Sequence, residues 1–114
     1  MMLYKIKAKI IEESMGDFYN ALTNKTIENQ KPDGFYIHKA MKEALLQDKE
    51  TIVWYEACYC STPFKHERQT VYDDYFYDFE TTLVYEVKDD IKGDSFWEYL
   101  EKNFKENEPN SLVS

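Results

Sequence analysis

The stretch Thr51–Cys60, TIVWYEACYC, decides the fold. It is rich in β-branched and aromatic residues, which are typical of strands. Apolar side chains fall in both alternation classes, so we expect both faces of this strand to be covered. The stretch therefore predicts the central strand of a sheet. Glu56 is its exception, because this acid falls on the same face as Trp54 and Cys58.

Two other segments predict strands. Residues 3 to 11 alternate with a period of two and place Lys5, Lys7 and Lys9 on the outer face, which indicates a half-buried strand. Residues 79 to 88 alternate in the same way and predict a third strand.

The first half of the chain predicts two helices. Ser14 resembles a helix start, and apolar side chains follow it at helical spacing. These side chains are Met15, Phe18, Tyr19 and Leu22. A polar loop over residues 23 to 34 comes next, with Asp33 as the expected cap of a second helix over residues 34 to 46.

The second half predicts two more helices. Ser61, Thr62 and Pro63 are typical of a helix start, with the proline at the first helical position. An apolar stripe follows at Val71, Tyr72, Tyr75 and Phe76, although these aromatic residues are also compatible with a strand. Asp94 is the expected cap of a last helix that ends near residue 104.

These elements predict an α+β fold, with a small, mainly antiparallel sheet of three to four strands and helices packed on one face. We expect one domain over residues 1 to 104 and a flexible tail over residues 105 to 114. The element order resembles the ferredoxin-like plait and its dimeric α/β-barrel relatives, although a fourth strand is not evident. The resemblance implies a homodimer in which a partner covers the second sheet face or a pocket forms there.

Charge and composition exclude several classes of function. The chain has 114 residues with a net charge of −8, which disfavours direct binding to nucleic acid. No apolar stretch is long enough for a membrane span or a signal peptide, so we expect a cytoplasmic protein with free thiols. The acidity favours either a well-solvated surface or a basic partner protein.

Reactive side chains concentrate between the central strand and the predicted third helix. They are Glu56, Cys58, Cys60, His66, Glu67 and Arg68. The predicted ligand-binding residues are Trp54, Glu56, Arg68 and Tyr72, with the aromatic rings as apolar walls and the charged groups for polar selection.

The same segment contains the candidates for catalysis. Cys58 or Cys60 could act as a thiolate nucleophile activated by His66, with Glu67 orienting the imidazole. The alternative is that the cysteines pack in the core. No metal or other cofactor is expected, because the cysteines lie on a straight strand instead of the turn that zinc sites use.

A second surface combines acids with aromatic rings. The predicted partner-binding residues are Asp73, Asp74, Tyr75 and Asp78. They could dock on a basic protein, or they could be the water-facing side of an amphipathic helix. The leading interpretation is a small binding module, dimeric, with its pocket near the central strand and the following helix start. An acidic inhibitor or adaptor and a thiol-dependent enzyme are the two alternatives.

Overall fold

The computed structural model describes residues 2–58, 61–87 and 91–105. The strands are β1 (Met2–Ile10), β2 (Leu45–Leu46), β3 (Thr51–Cys58), β4 (Phe76–Val84) and β5 (Asp94–Ser95). The helices are α1 (Met15–Thr23), α2 (Gly34–Glu43), α3 (Lys65–Glu67), α4 (Asp73–Tyr75) and α5 (Phe96–Phe104). A 3-10 turn, Glu12–Ser14, precedes α1, and a π-helical turn, Arg68–Tyr72, joins α3 to α4.

The strands form one sheet in the order β4-β1-β3-β2-β5, and every neighbouring pair is antiparallel. The α+β class and the central position of β3 are therefore confirmed. The prediction of three to four strands is wrong, since the described residues form five. The strands that the sequence does not reveal, β2 and β5, have two residues each, which is too short for a period of two to be visible.

Residues 34 to 46 were expected to form one helix, but α2 ends at Glu43. Ala44 adopts an extended conformation, and the next two residues form β2 against Ile52 and Val53 of β3. Apolar residues at the end of an amphipathic helix satisfy a helical period and a short buried strand equally well, so the pattern alone misplaces the boundary.

The helical region after β3 also differs from the expectation. It begins at Lys65, after Phe64 in the left-handed conformation (φ 59°), and not at Pro63. It ends at Tyr75, so Phe76 begins β4 instead of ending a helix. The third long strand is therefore Phe76–Val84, not 79 to 88. Residue 88 lies outside the described residues, as do Tyr59 and Cys60 of the expected central strand.

Of the two expected caps, Asp94 is wrong, and Asp33 holds the N-cap position of α2 without a capping bond from its side chain. Asp94 belongs to β5, and the cap of α5 is Ser95, whose side chain accepts a hydrogen bond from the N–H of Glu98 at 3.2 Å. Asp33 does precede α2, but its side chain makes no capping bond there. It binds side chains of other segments instead, as described below.

The hydrophobic core lies between one face of the sheet and the helices. The predicted inward face of β1 is confirmed, since Ile6, Ala8 and Ile10 are buried. The predicted apolar stripe of α1 is buried as well. Ile6 lies opposite Trp54 of β3, and both join a single cluster with residues of α1, α2 and α5. Within the described ranges, no helix combines the length and the apolar character that a membrane crossing requires.

Candidate functional site

An open cleft of about 790 Å³ lies between α2 and β3. We call it the α2–β3 cleft. Trp54 to Cys58 of β3 line it consecutively, and α2 contributes Phe35, Tyr36, Lys39, Ala40 and Glu43. Its remaining lining residues are Leu3, Pro32, Asp33, Leu45, His66, Glu67, Val87 and Ile91. Mostly apolar walls with a few polar groups are the usual composition of a small-molecule site.

The cleft exists because β2 is short. Its two residues pair with β3 only at Ile52 and Val53, and the cleft lies beside the rest of β3. The loop before α2 is held close by Gly34, where a Cβ atom would come within 1.9 Å of the carbonyl oxygen of Ile27. Only glycine allows this close approach, which fixes the position of Asp33 at the N-terminus of α2.

Glu56 is the most unusual group in the cleft lining. Its side chain is 7% exposed, and Oε1 accepts two hydrogen bonds, from Trp54 Nε1–H at 2.9 Å and from Tyr72 O–H at 2.7 Å. Oε2 is buried without a hydrogen-bond partner among the described residues. The pKa of Glu56 is raised from 4.5 to about 8. Burial is the main cause, the hydrogen bonds from Tyr72 and Trp54 oppose it, and the nearby acids Glu67 and Asp33 add to the rise.

Two more carboxyl groups lie close to Glu56. Asp33 is 7% exposed; it pairs with His66 Nδ1 and accepts a hydrogen bond from Gln30 Nε2 at 2.9 Å. The hydrogen bond to Asp33 raises the pKa of His66 above its usual value. Glu67 is 6% exposed, and burial raises the pKa of its carboxyl group. The cleft lining thus carries four carboxyl groups, those of Asp33, Glu43, Glu56 and Glu67, against one imidazole and the ammonium group of Lys39, and this balance favours a positively charged ligand.

Aromatic rings surround this acidic region. Phe35 and Tyr36, at the start of α2, are each 58% exposed and meet edge to face at 5.6 Å between ring centroids. Trp54 is buried and contacts Tyr72 at a centroid distance of 5.2 Å. Exposed rings beside a cleft offer apolar area and attract cations over their faces.

The structure brings together some of the predicted ligand-binding residues. Trp54 and Glu56 line the cleft, and fully buried Tyr72 lies behind them with its hydroxyl on Glu56. Arg68 lies apart from the cleft lining. Its guanidinium is 4.8 Å from the ring centroid of Phe79, and its Nε donates to Asp73 at 2.9 Å.

The candidate catalytic residues have different environments. Cys58 lines the cleft but is 3% exposed, and its sulfur accepts a hydrogen bond from the N–H of Phe64 at 3.3 Å. His66 also lines the cleft, where Asp33 is its acidic partner in the place expected for Glu67. Cys60 lies outside the described residues.

The predicted partner-binding residues are divided between two elements. Asp73 and Asp74 are exposed on α4, and Asp78 is exposed on β4. Tyr75 is half-buried and stacks on Phe18 at a centroid distance of 4.3 Å, so its ring belongs partly to the core.

Sequence reasoning missed Asp33, Phe35 and Tyr36 as lining residues of this cleft. Asp33 was interpreted as a helix cap, and its partner His66 lies 33 positions later in the chain, a contact that no local pattern reveals. Exposed aromatic residues at the start of a helix were the available signal.

Across the described residues, no group of three or more His, Cys, Asp or Glu side chains is arranged to hold a metal ion. Comparison of the chain with protein-family models, curated proteins and solved structures found no match.

Proposed function

We propose that this protein is a small binding module that holds a ligand in the α2–β3 cleft. The observation that carries the proposal is the cleft itself, whose volume of about 790 Å³ lies within the roughly 300–1,000 Å³ common for ligand pockets. Its walls combine apolar and aromatic side chains with a few acidic groups. Phe35 and Tyr36, which are exposed beside the cleft, add apolar area to this surface.

Titration with N-phenyl-1-naphthylamine, an uncharged dye that fluoresces in apolar pockets, tests this proposal. We expect saturable binding to the wild-type protein. Ala57→Phe places a ring in the cleft from β3 and should abolish most of the signal. Thr82→Phe, at an exposed position of β4, is the matched control and should leave dye binding unchanged. Equal binding to both variants, or no saturable binding to the wild-type protein, would contradict the proposal.

The homodimer and the cytoplasmic location belong to the same proposal. Support for a dimer comes from large apolar side chains exposed where β1 begins and β4 ends. Met2 is 47% exposed, Leu83 46% and Tyr85 97%, and such groups favour a protein contact. Native mass spectrometry of freshly purified protein would report the subunit number and the mass of any retained molecule. A monomer without added mass would count against the dimer.

The ferredoxin-like resemblance is also retained as a proposal. Its support is the order β1, α1 and α2, β2, β3, α3 and α4, β4, which reproduces the strand-helix-strand-strand-helix-strand sequence of that plait. The strand that the sequence pattern lacked is β2. β5 and α5 are additions at the end of the described chain.

A further inference from the structure

We propose that the ligand of the α2–β3 cleft carries a primary ammonium group on an apolar body, and that the ammonium group binds Oε2 of Glu56 between Asp33 and Glu67. This inference rests on the proposed binding function and names the chemical class of the ligand.

The unsatisfied oxygen of Glu56 is the first argument. Leaving a buried polar atom without a partner is unfavourable, and native proteins avoid it. Trp54 and Tyr72 hold the other oxygen of the same carboxyl group, while Oε2 is enclosed in the cleft wall without a partner among the described residues. Binding at Oε2 therefore requires a shift of the Glu56 side chain toward the cleft. Once Glu56 is ionised, a ligand N–H donor would complete the set.

The charge around Glu56 is the second argument. Asp33 and Glu67 are near enough to raise its pKa, and both line the same cleft. An anionic ligand would be repelled by these acids, whereas an ammonium group would compensate the charge that Glu56 acquires when it ionises beside Asp33 and Glu67. His66 is engaged with Asp33, and Lys39 is the cationic side chain that α2 contributes to the lining, together with the acid Glu43.

The aromatic surroundings are the third argument. Phe35 and Tyr36 present exposed rings beside the cleft, and Trp54 lies within its lining. Ammonium groups are attracted to aromatic faces, and the apolar body of the ligand would lie against the same rings.

A series of probes of similar shape but different charge tests the inference on the wild-type chain. The probes are 2-phenylethylamine, 2-phenylethanol and 3-phenylpropionate, and binding is measured by isothermal titration calorimetry. At pH 8 we expect the amine to bind at least about tenfold more tightly than the alcohol, with the carboxylate weakest. Nα-acetyl-lysine methylamide is added to the same titration as a model of a partner's lysine side chain. Tighter binding of this compound than of 2-phenylethylamine would indicate a lysine side chain, and the reverse order would indicate a free amine.

The pH dependence adds a second readout. Glu56 must ionise to bind a cation, so with a pKa of about 8 the affinity for the amine should rise about 50-fold from pH 6 to pH 8. Loss of the His66 proton and ionisation of Glu67 act in the same direction, and Tyr72 stays neutral because burial raises its pKa well above 10. Affinity for the alcohol should be nearly independent of pH.

Two variants locate the effect. Glu56→Gln should remove the preference for the amine and its pH dependence, while Glu80→Gln, at an exposed acid of β4 outside the cleft lining, should change the affinity less than about twofold. Equal affinities for amine and alcohol in the wild-type protein would overturn the ammonium assignment. If the uncharged dye still binds and Ala57→Phe still blocks it, the proposed function stands and only the ligand class fails.

Discussion

Replacing Glu56 with glutamine should change how the stability of this protein depends on pH. The folded protein holds the Glu56 proton up to a pKa of about 8, while the ordinary value is 4.5. A carboxyl pKa that is raised by folding contributes stability that is fully present below pH 4.5 and is lost as the pH rises through 8. Glutamine resembles the protonated acid and does not titrate.

The magnitude follows from the two pKa values. Each pH unit between them is equivalent to about 1.4 kcal/mol, so from pH 5 to pH 8 the wild-type protein should lose about 3–4 kcal/mol of unfolding free energy relative to Glu56→Gln. This is a large part of the roughly 5–15 kcal/mol that stabilises a domain. The cause is burial of the carboxyl group, to which the nearby acids Glu67 and Asp33 add.

Urea unfolding of both proteins at pH 5, 6, 7 and 8 measures this difference. With a urea dependence of about 2 kcal/mol/M, the midpoints should separate by roughly 2 M over the range. The raised pKa values of His66 and Glu67 also lower wild-type stability as the pH rises, but these residues are present in both proteins and largely cancel. Glu13→Gln, at an exposed position, should follow the wild-type curve. A separation that changes by less than about 1 kcal/mol from pH 5 to pH 8 would refute the account of a buried, protonated Glu56.

Three further predictions concern the elements that shape the cleft. Gly34→Ala should destabilise the protein by more than about 3 kcal/mol in urea unfolding, because its Cβ would overlap a carbonyl oxygen 1.9 Å away, whereas Gly16→Ala has room at 3.4 Å and should be neutral or slightly stabilising. Ser95→Ala removes the cap of α5 and should lower the unfolding free energy by about 1 kcal/mol; an unchanged value would mean that the cap is not formed in solution. The pKa of His66, measured by NMR, should lie above 6.5 and fall in Asp33→Asn, and a value that the variant leaves unchanged would contradict the pair.

The sequence predicts the long elements well because their periodicity is set by burial. The inward face of β1 and the buried stripe of α1 follow directly from residues repeating every two or every three to four positions. The short elements are a different case. Leu45 and Leu46 leave α2 and pair with β3, and this choice depends on the neighbouring strand, which lies farther along the chain. No local pattern records that dependence.

The site shows the same division between local and distant information. Glu56 is visible in the sequence as the acid among apolar strand residues, and its burial on the same face as Trp54 and Cys58 follows from the alternation of β3. Its hydrogen-bond partner Tyr72 and its acidic neighbour Asp33 come from elements 16 positions later and 23 positions earlier. Charge and burial at one residue can be expected from sequence, but the set of groups around it depends on the tertiary fold.

The burial of Glu56 argues that the cleft is more than a packing defect. A strand residue that faces the core is most stable when it is apolar, and a buried carboxyl group is strongly unfavourable unless its polar atoms are satisfied. Here Trp54 and Tyr72 satisfy one oxygen, and their bonds hold the group against the cleft with the other oxygen unused. Two hydrogen bonds from buried aromatic residues therefore hold the carboxyl group in a position where its second oxygen has no hydrogen-bond partner among the described residues. Under the proposed function, a ligand would supply the missing donor once Glu56 is ionised, and the chemistry of that donor decides which ligands the cleft prefers.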